Sequence, residues 1–383
     1  MNDRLHDPRL MPLPHPIRFD AAAGCAVDTE LFKSAGLLET LRPYLTDEGA
    51  STEWIINHVP GLRELAMQHV GLPGSTNIGS FVLTLNRARL RARGDPLLQV
   101  TAPLQAQLAE TDLQAGLPVC FFRSPYPTVY LEFARPNPLR VPHRLTGLHE
   151  CEGAYIGAYQ LPPHHEVHVQ PARRRVLGLD PTRPTRIIEL VITGSPAGKA
   201  NVLDDASQDL VLFVQDENED LSAVLARHIA FFSTPAAYTL PGMMPIDPAE
   251  VARVEPVIHE LAKVLLYLNL ADAEQTPWPE RSDLARRLRQ FGTKLSAKRR
   301  ERLARAYDRI IIGPRVESAA EPPPDVADPA APHTVRPHWR RGHFRRIRYG
   351  EGFSESRLGW IRPVLVNAAL AFGPVRPQPY EVR

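Results

Sequence analysis

Residues 186–193 read Arg-Ile-Ile-Glu-Leu-Val-Ile-Thr, and only Glu189 interrupts the apolar run from Ile187 to Ile192. A short run this apolar is typical of an inner strand that is covered on both faces of its sheet. Further runs with the composition of strands lie around it at residues 117–123, 128–133, 154–160 and 209–214. The sequence therefore predicts a central sheet, either mixed or antiparallel.

Helical patterns precede and follow this sheet. An irregular start, with prolines at positions 8, 12, 14 and 16, leads to predicted helices at 29–41, 53–70, 78–93 and 103–113. Beyond the sheet, helices are predicted at 221–232, 248–270, 281–291 and 296–306, and a short Ile-rich strand at 308–313. The helix at 248–270 must bury a wide face, because its apolar residues recur at intervals of three and four. These residues are Val254, Val257, Ile258, Leu261, Val264, Leu265 and Leu268.

The order of elements predicts an α+β fold: N-terminal helices, a central sheet, a helical segment and a C-terminal basic β-hairpin. Residues 1–115 form a mostly helical N-terminal region, and residues 116–316 form an α+β core. Residues 317–334 are rich in proline and acids, which predicts an extended linker. Residues 335–383 form a β tail rich in arginine and aromatic residues, which we expect to pack on the core.

Composition limits the class of protein. A hydrophobic content of 43% and a charged content of 23% are those of a globular protein. The net charge of +2 is nearly neutral, so any anion-binding role depends on local basic patches. The three cysteines form no CxxC pair, which favours a reducing compartment over a disulfide framework. No run approaches the ~20 apolar residues of a membrane span, and the start lacks the apolar run of a secretion signal. We therefore expect a cytoplasmic protein without a membrane partner.

No catalytic motif is recognised in the chain, whether for a hydrolase elbow, a phosphate-binding loop or a dinucleotide fold. Histidines and one cysteine are dense between residues 143 and 168, without the spacing of a zinc site; they are His143, His149, Cys151, His164, His165 and His168. Carboxylates near the strands could hold the metal of a nuclease; they are Glu132, Glu150, Glu152, Glu189, Asp204, Asp205 and Asp209. No lysine stands at the spacing such nucleases use. The sequence predicts no catalytic residue, no metal and no cofactor.

Two basic helices precede the linker. A solvated helix face is the simpler explanation of their charge, although together with the tail they could follow a phosphate backbone. Their cationic residues are Arg286, Arg287, Arg289, Lys294, Lys298, Arg299, Arg300, Arg302 and Arg305, followed by Arg309 in the next strand.

The tail carries the strongest functional signal. Residues 335–352 read Val-Arg-Pro-His-Trp-Arg-Arg-Gly-His-Phe-Arg-Arg-Ile-Arg-Tyr-Gly-Glu-Gly, with six arginines and no acid between residues 336 and 348. Because like charges repel unless an anion or acidic partner lies between them, the run predicts a binding surface. Alternation along a strand is expected to place arginines on one face and apolar groups on the other. The predicted binding residues are Arg336, His338, Trp339, Arg340, Arg341, His343, Arg345, Arg346, Arg348 and Trp360.

Three blocks of sequence resemble a known family. They are LAKVLLYLNLADA at residues 261–273, YDRIIIGP at 307–314, and VRPHWRRGHFRRIRYGEG at 335–352 continued by RLGWIRPVLVNA at 357–368. In this order they are similar to the C-terminal half of the large type V-A anti-CRISPR protein family, whose members occur on phages and plasmids. The resemblance is carried by the C-terminal third of the chain.

The resemblance implies an interaction protein rather than an enzyme. Members of the family suppress production of the CRISPR effector nuclease by recognising the N-terminal stretch of its nascent polypeptide, with loss of its messenger RNA. The expected partner is therefore a nascent peptide of a CRISPR effector or of another protein, with the ribosome or messenger RNA as further candidates. Two alternatives remain open from the residues alone: a metal-dependent nuclease that uses carboxylates such as Glu132 and Glu189, and a plain RNA- or DNA-binding protein.

Overall fold

The structure, a computed structural model, describes residues 10–70, 79–143, 146–166, 171–196, 205–237, 247–289, 297–315 and 338–366 of the 383-residue chain. The predicted linker at 317–334 lies outside the described residues. The elements confirm an α+β fold with N-terminal helices, a mixed central sheet and a C-terminal strand hairpin.

Helices dominate the first ninety residues. Their bounds are α1 His15–Ala23, α2 Val27–Ser34, α3 Leu38–Leu45, α4 Thr52–His58, α5 Leu62–Val70 and α6 Gly79–Ala92. Two of the predicted helices are each divided in two, at Gly36 and Gly61, whose φ angles of 70° and 80° lie in the left-handed region that ends helices.

The prediction of an irregular start is wrong for α1. This helix begins directly after Pro14 and has Pro16 in its first turn. Proline is favourable there, because its φ angle suits a helix and the first turn needs no N–H donor. The prolines therefore start a helix instead of preventing one.

The main sheet has eight strands: β1 Leu97–Val100, β3 Thr128–Glu132, β4 Arg140–His143, β5 Gly147–Leu161, β6 Thr185–Ser195, β7 Ala206–Val214, β8 Gln275–Pro279 and β9 Asp308–Ile312. Their order is β7-β6-β5-β3-β1-β9-β8, with β4 paired to β5. Strand β1 is parallel to both β3 and β9, and the other pairs are antiparallel. The predicted domain boundary at residue 115 falls between β1 and β3, which are neighbours in this sheet.

Strand β6 contains the apolar run that predicts the sheet. It has a neighbour on each side, and both of its faces are covered. Val191 packs with the N-terminal helices, while Ile188 and Ile192 belong to a second core on the opposite face. That second core contains the helices α7 Ala102–Ala109, α9 Leu221–Phe232 and α10 Pro248–Leu268. The remaining helices are α8 Pro171–Leu177, α11 Glu280–Arg289 and α12 Ala297–Arg305.

The strand predicted at residues 117–123 is a short 3-10 helix, Val119–Phe121. Its preceding residue Pro118 makes only a single bridge, to Asp220, because proline has no N–H to donate to a ladder. The next two N–H groups donate to the carbonyls of Glu219 and Glu217 in the loop before α9. The acidic loop at residues 216–220 thus fixes this segment.

The C-terminal strands form two small sheets. Strand β11 Gly342–Tyr349 pairs with β12 Glu355–Ile361 in an antiparallel hairpin, and its first residues pair in parallel with β2 Thr111–Asp112. Strand β10 His338–Arg340 pairs with β13 Val364–Val366. The hairpin is therefore joined through its backbone to the segment that follows α7.

Candidate functional site

The base of the hairpin is an aromatic contact with the core. Phe344 is 1% exposed and stacks on Trp360, its partner across the two strands, with ring centroids 5.7 Å apart. Trp360 meets the Tyr267 ring of α10 edge-on at 5.6 Å, and its indole N–H donates to the Thr111 hydroxyl at 3.2 Å. Such pairs add stability beyond the area they bury. They hold the hairpin in one orientation on the core.

The start of the hairpin fits closely against β2. A side chain at Gly342 would place its Cβ 2.7 Å from the Thr111 hydroxyl and 2.8 Å from the Ile361 carbonyl oxygen, so the approach requires glycine. Beside it, Arg341 donates to Asp112 at 2.6 Å. Both of these side chains are partly exposed, so the ion pair orients Arg341 more than it stabilises the fold.

The remaining arginines of the hairpin project into solvent. Arg345, Arg346 and Arg348 are exposed, as is Arg340 just before β11. Within the part of the chain that the structure describes, none of these four guanidinium groups forms an ion pair or a side-chain hydrogen bond. We call Arg345, Arg346 and Arg348, together with Arg340, the hairpin arginines. They are fixed on a folded scaffold, and their charge is available to an anion.

The expectation that all arginines share one face is wrong. Side chains alternate along β11, so Arg346 and Arg348 lie on the same face as the buried Phe344, beyond the end of the core. Arg345 lies on the other face with Ile347. The arginine pair 345–346 breaks the alternation, so charge projects from both faces of the hairpin.

Strand β12 extends the basic surface. Arg357 lies across from Ile347 and over the ring of Tyr349, with 6.0 Å between its guanidinium carbon and the ring centroid. Arg362 lies in the same way over Trp360, at 5.6 Å. At the tip, Phe353 is 69% exposed and has a φ of 56°. The surface thus combines guanidinium groups with exposed aromatic rings.

Arg346 acts electrostatically on the segment that holds Cys120. Burial raises the pKa of the Cys120 thiol, as does Glu217, while Arg123 and Arg346 act in the opposite direction. Glu217 is paired with Arg186, which donates to it at 2.7 Å.

The other predicted binding residues are only partly placed. Arg336 lies outside the described residues, and for His338 and Trp339 the structure describes the strand but not the side chains. His343 is half-buried at the start of β11. Trp360 is partly buried and contacts the core, where it holds the hairpin.

The predicted nuclease carboxylates do not form an open site. Arg18 of α1 binds both oxygens of Glu152 and donates to Asp205 at 2.7 Å and to Ser195 at 2.6 Å. Arg135 also donates to Glu152. Burial would raise the pKa of Glu152, but the two arginines outweigh it and lower this pKa to about 2. These charges hold α1 on the sheet, and we call Arg18, Glu152, Asp205 and Arg135 the buried ion cluster.

The other carboxylates that the structure describes accept hydrogen bonds from neighbouring groups or lie apart from one another. Gln99 donates to Glu132 at 3.2 Å, the backbone N–H of Asn137 to Glu150 at 2.7 Å, and Thr52 to Glu189 at 2.9 Å. Burial raises the pKa of Glu132 to about 7. Among the residues described, which do not include Asp204 and His168, no group of three or more His, Cys, Asp or Glu side chains could hold a metal ion. The arrangement gives the nuclease alternative no support.

The histidine cluster is made of local contacts. His143 and His149 stack at 5.2 Å, and the Thr146 hydroxyl bridges their rings. His165 lies 6.3 Å from the Trp54 ring, and His164 occupies a turn with a φ of 61°. These contacts pack loops and strand ends.

Asp209 offers a test of the buried charges, because burial together with the charge of Glu189 raises its pKa to about 7. The ordinary value is 3.8, so the folded chain keeps this proton longer than the unfolded chain, and stability is lost as pH rises from about 4 to 7. We expect Asp209→Asn to stabilise the chain by about 2 kcal/mol near pH 8, measured by urea unfolding, and by less near pH 5. The exposed Asp272→Asn is the control, and an equal effect at both pH values would contradict this interpretation.

The match to a protein-family model identifies the family of this chain. A family model described as AcrVA2-like, the anti-CRISPR type V subtype A2 family, matches residues 98–368. The chain belongs to this family. The match includes all three blocks of sequence that carry the resemblance and extends it back to β1, which confirms the family inferred from those blocks. Membership in the anti-CRISPR type V subtype A2 family supports an anti-CRISPR function for this chain.

Among solved structures, this anti-CRISPR family member is similar to the crystal structure of AcrVA2, with 15% sequence identity, a TM-score of 0.45, and coverage of 89% of this chain and 98% of that chain. Comparison with curated protein sequences gives no match. No helix among the described residues is long and apolar enough to span a membrane.

Proposed function

We propose that this chain acts in the cytoplasm to lower expression of a type V-A CRISPR effector. It recognises a nascent polypeptide, or the ribonucleoprotein that carries it, and the messenger RNA of the effector is lost as a result. Membership in the anti-CRISPR type V subtype A2 family supports the target class. The hairpin arginines are the observation that supports recognition of an anionic or acidic partner.

The geometry of the hairpin suits recognition better than a disordered basic arm would. Its backbone is fixed by β2 and by the contact between Phe344 and Trp360, so little conformational entropy is lost when a partner binds. Exposed arginine and aromatic side chains are enriched among residues that dominate binding energy. The hairpin presents both arginine and aromatic side chains within the length of a single strand.

Removal of three of the four hairpin arginines is expected to weaken repression of the effector. In the variant Arg345→Ala/Arg346→Ala/Arg348→Ala, each lost guanidinium removes a binding group of about 1–2 kcal/mol, so partner affinity falls at least about tenfold. The full chain and the variant are each co-expressed with a type V-A effector. Effector protein is measured by immunoblot and its message by quantitative reverse transcription.

A matched control removes the same charge elsewhere. Arg63→Ala/Arg174→Ala/Arg175→Ala changes three exposed arginines of helices α5 and α8, outside the hairpin, and we expect it to repress like the unchanged chain. The proposal fails if the unchanged chain leaves both effector protein and message at their original levels. Equal repression by the two triple variants would contradict a role of the hairpin arginines in binding.

A further inference from the structure

A second basic site lies at the β8 edge of the main sheet. Helices α11 and α12, the edge strand β8 and its neighbour β9 line an open pocket of about 520 Å³. This volume lies within the range of small-molecule pockets, about 300–1,000 Å³. Its walls include Trp278 of β8, Arg287 of α11, Arg302 of α12 and Arg309 of β9. Four consecutive elements between residues 275 and 312 thus bring one indole and three guanidinium groups to the same space.

The cavity carries an excess of positive charge. Its wall holds three arginines and two acids, Glu280 and Asp283, which leaves a net charge of 3 − 2 = +1. Asp283 accepts a hydrogen bond from Arg286 at 2.7 Å, and Glu280 lies 3.6 Å from Arg309. Neither Arg287 nor Arg302 forms an ion pair with any residue that the structure describes. Two guanidinium groups are therefore available for an anion.

Trp278 provides a stacking surface beside these charges. The side chain is 40% exposed, although it belongs to a strand paired along its length with β9. Arg315 lies over its ring, 4.9 Å from the centroid, and adds a further positive charge beside the indole. An exposed tryptophan next to unpaired arginines can stack on an aromatic base while the arginines bind a phosphate.

We propose that this cavity binds a nucleoside phosphate, with the base against Trp278 and the phosphate at Arg287 and Arg302. The ligand is either a free nucleotide or one residue of a single-stranded RNA, since both present the same base and phosphate. Glu280 and Asp283 can accept hydrogen bonds from ribose hydroxyls or base N–H groups. The site is distinct from the hairpin, and the inference does not depend on the proposed function.

The test uses the purified full chain without any effector. Binding of a fluorescein-labelled single-stranded RNA is followed by polarisation, and binding of adenosine monophosphate by calorimetry. We expect Trp278→Ala to weaken binding by at least about fivefold through lost stacking, and Trp278→Phe to retain most of it. Arg287→Gln/Arg302→Gln is expected to weaken binding and to reduce its salt dependence. Arg281→Gln/Arg289→Gln removes the same charge from α11 outside the cavity wall and is expected to bind normally.

Each outcome decides the proposal. Binding of both ligands with mutual competition, or of only one of them, supports the site and identifies the source of the nucleotide, provided that the cavity variants weaken it. Absence of binding to both ligands overturns the proposal. So does binding that survives the cavity variants, or a cavity that binds an acidic peptide in preference to both. Thermal unfolding of each variant separates loss of the site from loss of the fold.

Discussion

Replacement of Arg18 by alanine is expected to destabilise the folded chain by about 3–5 kcal/mol, because it leaves buried carboxylates without their partner. Arg18 is 1% exposed and contacts three side chains on β5, β6 and the start of β7: Glu152, Ser195 and Asp205. Arg135 remains beside Glu152, whereas Asp205 keeps the Ser195 hydroxyl and the His15 ring at 3.5 Å but no arginine among the described residues. Urea unfolding near neutral pH measures the loss.

The pH matters for this measurement. The folded pKa of Glu152, about 2, is lower than its ordinary value of 4.5. The stability from this carboxylate is therefore complete above about pH 4.5 and is lost as pH falls toward 2. Neutral pH thus captures the whole contribution of the contact between Arg18 and Glu152.

Two further variants separate this ion cluster from a general effect of losing an arginine. Arg42 forms an exposed pair with Glu39 at 2.8 Å, so Arg42→Ala is expected to cost less than about 1 kcal/mol. Asp205→Asn in the Arg18→Ala background is expected to recover part of the loss, because it removes the carboxylate charge that Arg18 no longer neutralises. A loss below about 1 kcal/mol for Arg18→Ala would show that water reaches the cluster.

Replacement of Phe344 by alanine is expected to detach the hairpin. A buried phenylalanine contributes about 3–5 kcal/mol through its packing, and Phe344 supports the ring of Trp360 against Tyr267. Because the hairpin is joined to the core mainly through these rings and β2, the loss is expected to appear as local opening. Hydrogen exchange over residues 338–366 should accelerate, while exchange in β5 and β6 changes little.

The matched control is another aromatic residue of the same strand. Tyr349 is 44% exposed, so Tyr349→Ala is expected to leave exchange in β11 and β12 close to that of the unchanged chain. Phe344→Ala is also expected to reduce repression of the effector, although it removes no charge. Unchanged exchange in Phe344→Ala would mean that backbone pairing with β2 alone holds the hairpin.

Local patterns predicted much of the fold. Helix α9 is found at Leu221–Phe232 as predicted, because Asp220 caps it and its apolar residues form one face. The apolar run in β6 likewise needs no information from elsewhere in the chain. Strand β1 could not be predicted in this way. It has four residues, and its neighbours β3 and β9 are distant in sequence.

The candidate site was predictable in composition but not in geometry. The density of arginine in the tail identified the segment, whereas its orientation depends on Thr111 and Asp112, which are 249 and 229 residues from their partners Trp360 and Arg341. The cavity at Trp278 was not predicted at all. The sequence interpretation placed its arginines on a solvated helix face. The signal that could have identified the pocket is a tryptophan in a short polar segment next to two basic helices.

The sequence by itself determined the α+β class, the order of the main elements and the family, because periodicity and short motifs are properties of neighbouring residues. Only the tertiary structure decided which charges are buried and which are available. Arg18 and Arg345 are chemically identical. The first meets carboxylates 134 and 187 residues away and stabilises the fold, while the second meets no such partner among the described residues. Contact across long sequence separation, which local patterns do not contain, buries one arginine in the fold and leaves the other exposed for the binding that we propose.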